Sequence, residues 1–313
     1  MEHILSSKNW RGRRAGADLL AALIVGSVLL AVPCSAADDA KWQPVAAALG
    51  KSGTEMPGGV YRVGLPRSDL HVTLDGVVLK PTLALGSWLS FASMGDHAMV
   101  MGDLVLTEAE VGPVMKKLAE GNIEITALHN HLFRARPATF YMHIYGEGDA
   151  VVLARTLHDG LALSKTPLGA APAASASSKI DLDTAAIDKA LGATGKVAGG
   201  VYQIGIPRAE PPKERGVELP AAWGTSEAIN FQPTGNGKAA ITGDFVLTAS
   251  EVNPVLRTLR ENGIEVTALH NHMLNDEPRL FFMHFWANER LEKLLAGLQA
   301  ALDHVAVQKN AAR

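Results

Sequence analysis

The stretch "GDLVLTEAEVGPVMKKL" (residues 102–118) decides the fold class, because it joins a strand to the helix that follows it. The residues up to Thr107, "AMVMGDLVL", have the pattern of a strand. Thr107 and Glu110 have the spacing of a capping box, in which two side chains bind the free backbone N–H groups of a starting helix. The stretch therefore predicts a strand that leads directly into a helix.

This predicted helix contains Pro113, which lies too deep for an uninterrupted helix because proline lacks the N–H that an interior position uses. We expect a short first turn and then a helix that restarts with the proline as its first residue. Gly121 and Asn122 are expected to end it. Pro254 takes the same position later in the chain, so we expect the same interruption there.

The opening stretch returns 141 residues later as "GDFVLTASEVNPVLRTL" (243–259), and "GGVYRVGLPR" (58–67) returns as "GGVYQIGIPR" (199–208) at the same offset. A repeat of this length is a whole domain and not a solenoid unit. The segment between the copies is rich in Ala, Ser and Pro, which is typical of a flexible linker. We predict a signal peptide (1–36), a first repeat domain (37–166), a linker (167–180) and a second repeat domain (181–305).

Each copy has the same predicted order of elements: a helix, several strands, the capped helix, two strands around the histidines and a final helix. Strands outnumber helices, and most neighbouring strands can pair antiparallel. This order predicts an α+β fold of two tandem homologous domains, each a mostly antiparallel sheet covered by helices. A ferredoxin-like arrangement is one candidate. We expect the two domains to fold separately.

The N-terminus has the three regions of a secretory signal peptide: basic "KNWRGRRAG", an apolar run at 19–32 and small residues before Ala37. We expect cleavage near Ala36 or Ala37, a periplasmic or secreted protein, and no stable membrane span after cleavage. Cys34 is the only cysteine, so the mature chain has neither disulfides nor thiolate ligands. The net charge is −3, and no basic cluster remains once the signal peptide is removed, which excludes nucleic acid as a partner.

Three histidines recur in each copy, two in "ALHNH" and one twelve residues later. They are His129, His131 and His143 in the first copy, and His270, His272 and His284 in the second. Residues i and i+2 of a strand share a face, so the first two of each set point the same way. A turn near residue 137 would place His131 opposite His143, on that same face. The sequence therefore predicts one pocket of three imidazoles in each domain.

Three neutral imidazoles suit a divalent metal ion, with zinc, copper and nickel as the candidates. A polar pocket for a small ligand and a purely structural hairpin also fit the pattern, since Asn and His tolerate tight turns. Five further residues are candidates for a polar or orienting role at the site. They are Asp103 and Asp244 in the two "GD" pairs, Arg67 and Arg208 at equivalent strand ends, and Glu147 in the first copy. An aspartate could orient a ligating histidine, and an arginine could bind an anion or form a surface ion pair.

The segments "VMGDLVLTEAEVGPVM", "TALHNHL" and "YMHIYGEGD" resemble the LppY/LpqO lipoprotein-like family of bacterial exported proteins. The likeness extends over most of the chain after the signal peptide, in both copies. It implies an envelope or secreted localisation, and it carries no reaction, cofactor or catalytic residue. The second copy departs from the family pattern after "FMHFW", and Pro33 before Cys34 departs from a lipoprotein signal.

Three functions fit these observations. The first is an exported protein that binds a metal ion or small ligand in the duplicated histidine pockets. The second is a metal-dependent hydrolase or related enzyme, in which a metal-bound water attacks the substrate and Glu147 or Asp103 acts as base. The third is an envelope module whose hairpins dock a protein partner. No residue type or spacing in the sequence assigns a catalytic residue or a substrate.

Overall fold

A computed structural model of the protein describes residues 36–169 and 179–308. The predicted signal peptide, apart from its last residue, and most of the predicted linker lie outside these ranges. The described residues belong to one compact unit, Ala36–Arg313. Within them, no helix combines the length and the apolar character that a membrane crossing requires.

The two repeats contain the same succession of elements. The first consists of α1 (Ala36–Leu49), β1 (Thr54–Met56), β2 (Val60–Pro66), β3 (Thr73–Leu74), β4 (Val77–Val78), α2 (Pro81–Ala84), β5 (Gly86–Met94), β6 (His97–Thr107), α3 (Glu108–Glu120), β7 (Glu124–His129), β8 (Thr139–Gly148) and α4 (Ala150–Leu161). The second consists of α5 (Thr184–Leu191), β9 (Lys196–Ala198), β10 (Val201–Pro207), β11 (Lys213–Glu214), β12 (Val217–Glu218), a 3₁₀ turn (Ala221–Trp223), β13 (Ser226–Gly235), β14 (Lys238–Thr248), α6 (Ala249–Glu261), β15 (Glu265–His270), β16 (Asp276–Glu277), β17 (Leu280–Arg290) and α7 (Leu291–Leu302).

Each repeat forms a six-stranded sheet, in the order β1-β2-β5-β6-β8-β7 for the first and β9-β10-β13-β14-β17-β15 for the second. Every strand pairing in the described residues is antiparallel. The predicted α+β class with two tandem, mostly antiparallel domains is confirmed. The β-α-β-β-α-β order of a ferredoxin-like fold is not observed, because four strands of each sheet precede α3 or α6 and, in the described residues, no strand of the same sheet follows α4 or α7.

The capping boxes are confirmed at the starts of α3 and α6. The expected interruption at the prolines is wrong, since Pro113 and Pro254 lie inside continuous helices. The N–H that Pro113 lacks would have bound the carbonyl of Ala109 in the exposed first turn, where water can bind that carbonyl instead. Both helices end at the Gly–Asn or Asn–Gly pair, as predicted.

The molecule has four layers, because each sheet is covered by helices on one face and by the other repeat on the opposite face. Strand β6 shows this arrangement in its alternation. Val100, Leu104 and Leu106 pack against helices α1, α3 and α4. Met99 and Met101 face the other way and pack against Val246 and other residues of the second repeat. A strand that is buried on both faces needs apolar residues at nearly every position, and β6 has them.

Each repeat also sends an arm across the sheet of the other repeat. The first arm comprises residues 70–85, and the second comprises residues 212–223. Gln232 on β13 accepts a hydrogen bond from Lys80 N at 2.8 Å and donates one to Val78 O at 2.8 Å. In the opposite direction, Arg62 on β2 donates to Ala222 O at 2.5 Å. The arms are the most divergent part of the duplicated sequence, and they bind the repeats to each other.

Candidate metal centre

The six repeated histidines lie where the two sheets face each other. His129 and His270 are the last residues of the edge strands β7 and β15. His131 and His272 follow two residues later, in the loops, whereas the third histidine of each set lies inside the long strands β8 and β17. Strand ends, loops and central strands of both repeats therefore all contribute to the same region.

The expected pairing of His131 with His143 is wrong, because Ala127 is the residue directly opposite His143. The pairing is shifted by four residues, and an even shift leaves each side chain on its predicted face. The loop after β7 pairs with the first arm, through reciprocal backbone hydrogen bonds of 2.9 Å between Arg136 and Thr73. The sequence pattern did not reveal this partner of the loop.

The structure forms a single group of imidazoles instead of two separate pockets. We call this group the histidine cluster; it consists of His129, His131, His143, His270, His272 and His284. Rings from different repeats stack on each other, with centroids 3.5 Å apart for His129 and His270 and 3.7 Å apart for His143 and His272. The Nε2 atoms of His129 and His284 lie 3.3 Å apart. The prediction of one pocket per domain is thus corrected to one cluster between the domains.

Asp103 and Asp244 stand beside the cluster, as the "GD" pairs suggested. Each is directly opposite a cluster histidine on the neighbouring central strand, Asp103 opposite His143 and Asp244 opposite His284. Asp103 lies 3.9 Å from Nε2 of His143 and also 3.9 Å from Nε2 of His131. Asp244 instead approaches Nδ1 of His284, at 2.8 Å. The two aspartates therefore face different sides of their histidines.

The glycine of each "GD" pair allows close approach of the strands. A Cβ built on Gly243 would lie 1.7 Å from the carbonyl oxygen of Ala228, so no larger residue fits without moving the strand. The carbonyl of Gly243 is 3.0 Å from Nδ1 of His284. A ring that donates its Nδ1 proton to this carbonyl keeps the lone pair on Nε2, which is the nitrogen facing the cluster.

Burial favours the neutral form of five cluster histidines by lowering their pKa values. Burial and the neighbouring His284 lower the pKa of His129 to about 3. The pKa values of His131, His143, His270 and His272 are also lowered, in each case first by burial and then by neighbouring histidines. Burial and the nearby Asp244 raise the pKa of Asp103 well above its usual range, against the opposing effect of Arg62. Neutral imidazole is the form that binds metals.

Many ring nitrogens of the cluster are buried without a partner in the protein. Among the residues that the structure describes, six such nitrogens belong to the cluster: Nδ1 of His129, Nε2 of His131, Nε2 of His143, both nitrogens of His270 and Nε2 of His272. Buried polar atoms of folded proteins nearly always have a partner, so a concentration of exceptions calls for a bound ion or water. The donor set therefore fits a metal ion.

Four groups of three side chains in the described chain have ligand atoms close enough to hold one ion. They are His129–His143–His270, His129–His131–His284, His270–His272–His284 and Asp103–His131–His143. The predicted triad of the second repeat is among them, but that of the first repeat is not. Two of the four groups combine residues of both repeats, which the spacing within each repeat did not indicate.

Three of the candidate polar residues lie outside the cluster and form ion pairs with other residues. Glu147 is on the same strand as His143 but four residues further along, about 13 Å away at the usual strand rise, and it contacts His97 at 2.9 Å. Arg67 is fully buried and binds Asp69 and Glu110. Arg208 binds Glu251 in the same way. The arginines thus form buried ion pairs with the capping boxes and not the surface pairs that we expected.

Two aromatic residues of the site were missed at the sequence level. The ring of His131 stacks on Tyr141, with centroids 3.3 Å apart, and the ring of His272 stacks on Phe282 at 3.4 Å. Each aromatic residue precedes the third histidine of its set by two positions, so it shares that histidine's face of the strand. This spacing was visible in "YMH" and "FMH" and could have placed both rings beside the cluster.

A model of the family described as Domain of Unknown Function (DUF1259) matches the chain twice, at residues 43–163 and 185–304. The chain belongs to this family. The resemblance to the LppY/LpqO family is therefore corrected, since the family model that matches is DUF1259. No curated protein matches the chain.

Two solved structures show a weak likeness. A trimeric bacterial microcompartment shell protein, PduB, is 10% identical, with 81% of this chain and 93% of that chain covered and a TM-score of 0.20. EtuB from Clostridium kluyveri is 9% identical, with 80% and 91% covered and a TM-score of 0.19. At these TM-scores the likeness carries no argument about this protein.

Proposed function

We propose that this member of the DUF1259 family binds a divalent transition metal ion in the histidine cluster. The observation that carries the proposal is the convergence of six imidazoles from both repeats, with six buried ring nitrogens that lack a partner among the described residues. Zinc, copper and nickel all accept imidazole ligands, so the ligands of the cluster set no preference among these three metals.

The charges around the cluster support a bound cation. Asp103 and Asp244 bring two carboxyl groups into a region where neutral imidazoles offer no positive charge. Arg62 is the cation that acts on Asp103, and burial lowers the pKa of its guanidinium to about 10. Buried carboxylates are normally paired or coordinate a metal. A divalent ion would favour the ionised form of Asp103, which burial disfavours.

Binding has more support than hydrolysis. One of the two candidate bases, Glu147, lies outside the cluster, whereas Asp103 is only 6% exposed. The cluster rings also pack closely, with His131 and His284 centroids 3.6 Å apart. Each of the four groups supplies three ligands, as catalytic zinc sites also do, so the preference for binding rests on the burial of Asp103 and on the close packing of the rings. An interaction module gains no specific support from these contacts.

Metal analysis of the full chain tests the proposal. The double variant His143→Gln/His284→Gln removes one ligand from every one of the four groups. We expect the wild type to retain zinc after gel filtration. We expect the variant to bind zinc more than about 100-fold less tightly, because even loss of a residue that only hydrogen-bonds to a ligand lowers metal affinity about 10–100-fold. Equal zinc binding by both proteins would contradict the proposal.

The matched control replaces two histidines that are exposed and outside the cluster, His71→Gln/His304→Gln. It keeps the number of histidines equal to that of the test variant, and Cys34 is present in all three proteins. We expect the control to bind zinc like the wild type. Circular dichroism of each metal-free protein would show that loss of zinc is not loss of the fold.

We also propose that the protein is exported, with its signal peptide removed. The basic, apolar and small-residue regions at residues 8–37 support this proposal. N-terminal sequencing of protein from the native cells should begin near Ala37. A chain that keeps Met1 would contradict export by this signal.

A further inference from the structure

The four candidate groups do not all fit into the cluster together, and this restricts how metal ions can occupy it. Only Asp103–His131–His143 and His270–His272–His284 share no residue. Each of the other two groups contains His129 and overlaps with every remaining group. Simultaneous binding of two ions is therefore possible in one combination only.

We propose that the cluster holds two divalent metal ions at once, one bound by Asp103, His131 and His143 and the other by His270, His272 and His284. This inference rests on the proposed function, which requires only that some metal binds. It makes Asp103 a direct ligand, whereas Asp244 lies beside Nδ1 of His284, on the side away from the ion. It also leaves His129 outside both sites.

The distances around Asp103 fit a ligand. Its carboxylate oxygens lie 3.9 Å from Nε2 of His131 and 3.9 Å from Nε2 of His143. This separation is too long for a hydrogen bond. It is within the roughly 4.2 Å that two ligand atoms can span when each is about 2.1 Å from one ion. Both Nε2 atoms and Oδ1 of Asp103 are also buried without a partner among the described residues.

The second site differs because its aspartate faces the other ring nitrogen. Asp244 Oδ1 is 2.8 Å from Nδ1 of His284, and the carbonyl of Gly243 is 3.0 Å from the same nitrogen. Nε2 of His284 lies 3.3 Å from Nε2 of His129, and an ion bound with His270 and His272 would take the place of that contact. A carboxylate or carbonyl behind a ligating imidazole is the usual arrangement at metal sites.

The two sites should therefore differ in chemistry although the repeats are homologous. The first offers two imidazoles and a carboxylate, and the second offers three imidazoles. Two divalent cations with the carboxylates of Asp103 and Asp244 leave a net charge of about +2 in the pocket, so the second ion should bind less tightly than the first.

His129 distinguishes the two-ion arrangement from a single ion that bridges the repeats. Both groups that combine the repeats contain His129. We would strip the full chain of metal, saturate it with zinc and measure zinc per chain by mass spectrometry. We expect two ions in the wild type and two in His129→Ala, but one in Asp103→Asn and one in His272→Ala.

The outcomes separate the inference from the proposed function. A wild type with one zinc, lost in His129→Ala, would overturn the two-ion inference and leave metal binding intact. Two zinc ions in Asp103→Asn would overturn the role of Asp103. A wild type without zinc would overturn both proposals.

A cobalt(II) titration of the wild type avoids dependence on variants that fold poorly. Two different ligand sets should give two successive changes in the visible spectrum, complete at two equivalents. A single change, complete at one equivalent, would overturn the inference. His71→Ala is the matched control for the variants and should keep two ions.

Discussion

His143 and His284 occupy central strands at positions where a core residue would normally be apolar, and they are 3% and 1% exposed. In the metal-free protein these histidines lower the stability of the fold, because their ring nitrogens are buried away from water. Among the described residues, the buried histidines all lie where both repeats contribute. The histidine cluster is thus a local departure from a well-packed core, as expected of a functional site.

At this scale we predict that the metal-free protein loses stability in mild acid. Five cluster histidines have pKa values lowered by burial. In the unfolded chain they titrate near about 6.5. The unfolded state therefore binds more protons below that pH, so the free energy of unfolding is highest above about pH 6.5 and falls as the pH drops. Urea unfolding at several values between about pH 8 and pH 5 measures this change in the free energy of unfolding.

The control for this prediction replaces two of the cluster histidines whose pKa values are lowered. Buried carboxyl groups such as Asp103 and Glu227 have raised pKa values and act in the opposite direction, but they are fewer. A His131→Gln/His272→Gln variant should therefore show a shallower loss of stability on acidification than the wild type. Equal stability of the wild type at both ends of the pH range would contradict the prediction.

At the scale of elements, helix α3 is fixed to the sheet by a buried ion pair. Arg67 at the end of β2 donates to both carboxylate oxygens of Glu110, at 2.9 and 3.1 Å, and to the carbonyl of Val105 at 2.6 Å. Glu110 also accepts a hydrogen bond from Thr107 N and so completes the capping box. One glutamate thereby sets both the start of the helix and its position on the sheet.

We predict that Arg67→Met destabilises the protein by about 3–5 kcal/mol, the usual cost of breaking a buried pair by removing one partner. Glu110 would keep its charge in a site that is 7% exposed. The measurement is urea unfolding at neutral pH. A loss below about 1 kcal/mol would show that the pair contributes little.

Lys116 on the same helix supplies the control. It lies 3.8 Å from Glu120, and both side chains are exposed. Surface pairs of this kind contribute about 0–1 kcal/mol. Lys116→Met should therefore leave the free energy of unfolding nearly unchanged and separate the effect of burial from that of losing a positive charge.

At the scale of the whole molecule, the exchanged arms bear on the expectation that the domains fold separately. Phe282 and Met273 of the second repeat share one core with Met99 of the first, and Trp286 shares another with Leu74 and Leu83 of the first arm. A repeat on its own would expose these surfaces to water. The predicted bounds of the linker remain a prediction, but the contacts favour repeats that depend on each other.

We predict that a cut within residues 170–178 leaves the two halves associated. A protease site placed there should give two chains that elute together in gel filtration without denaturant, because the shared cores and the arm contacts are unaffected by the cut. Halves that separate and remain folded would contradict the prediction.

The first repeat expressed alone, residues 36–169, completes the test. It should aggregate or self-associate, since large exposed apolar surfaces drive association. Addition of the separately prepared second repeat should restore a one-to-one complex. A monomeric, cooperatively unfolding first repeat would support independent domains instead.

The sequence by itself determined the duplication, the α+β class and the capped helices, because these depend on local spacing and on matches along the chain. It also determined that His129, His131 and His143 lie on one face, since side chains alternate in a strand and an even shift in pairing keeps that alternation. The sequence did not predict that α3 continues through Pro113. One missing hydrogen bond near a solvated helix start costs less free energy than the packing of the helix contributes.

Only the tertiary structure decided that the two histidine sets form one cluster. Which face of a sheet is covered by helices and which by another sheet depends on contacts between residues more than 100 positions apart, and no local pattern encodes them. The same holds for the two aspartates: the "GD" pairs are identical in sequence, yet Asp103 faces Nε2 of its histidine and Asp244 faces Nδ1. Ring orientation is set by packing across the interface between the repeats, and the physical difference between the two sites arises there.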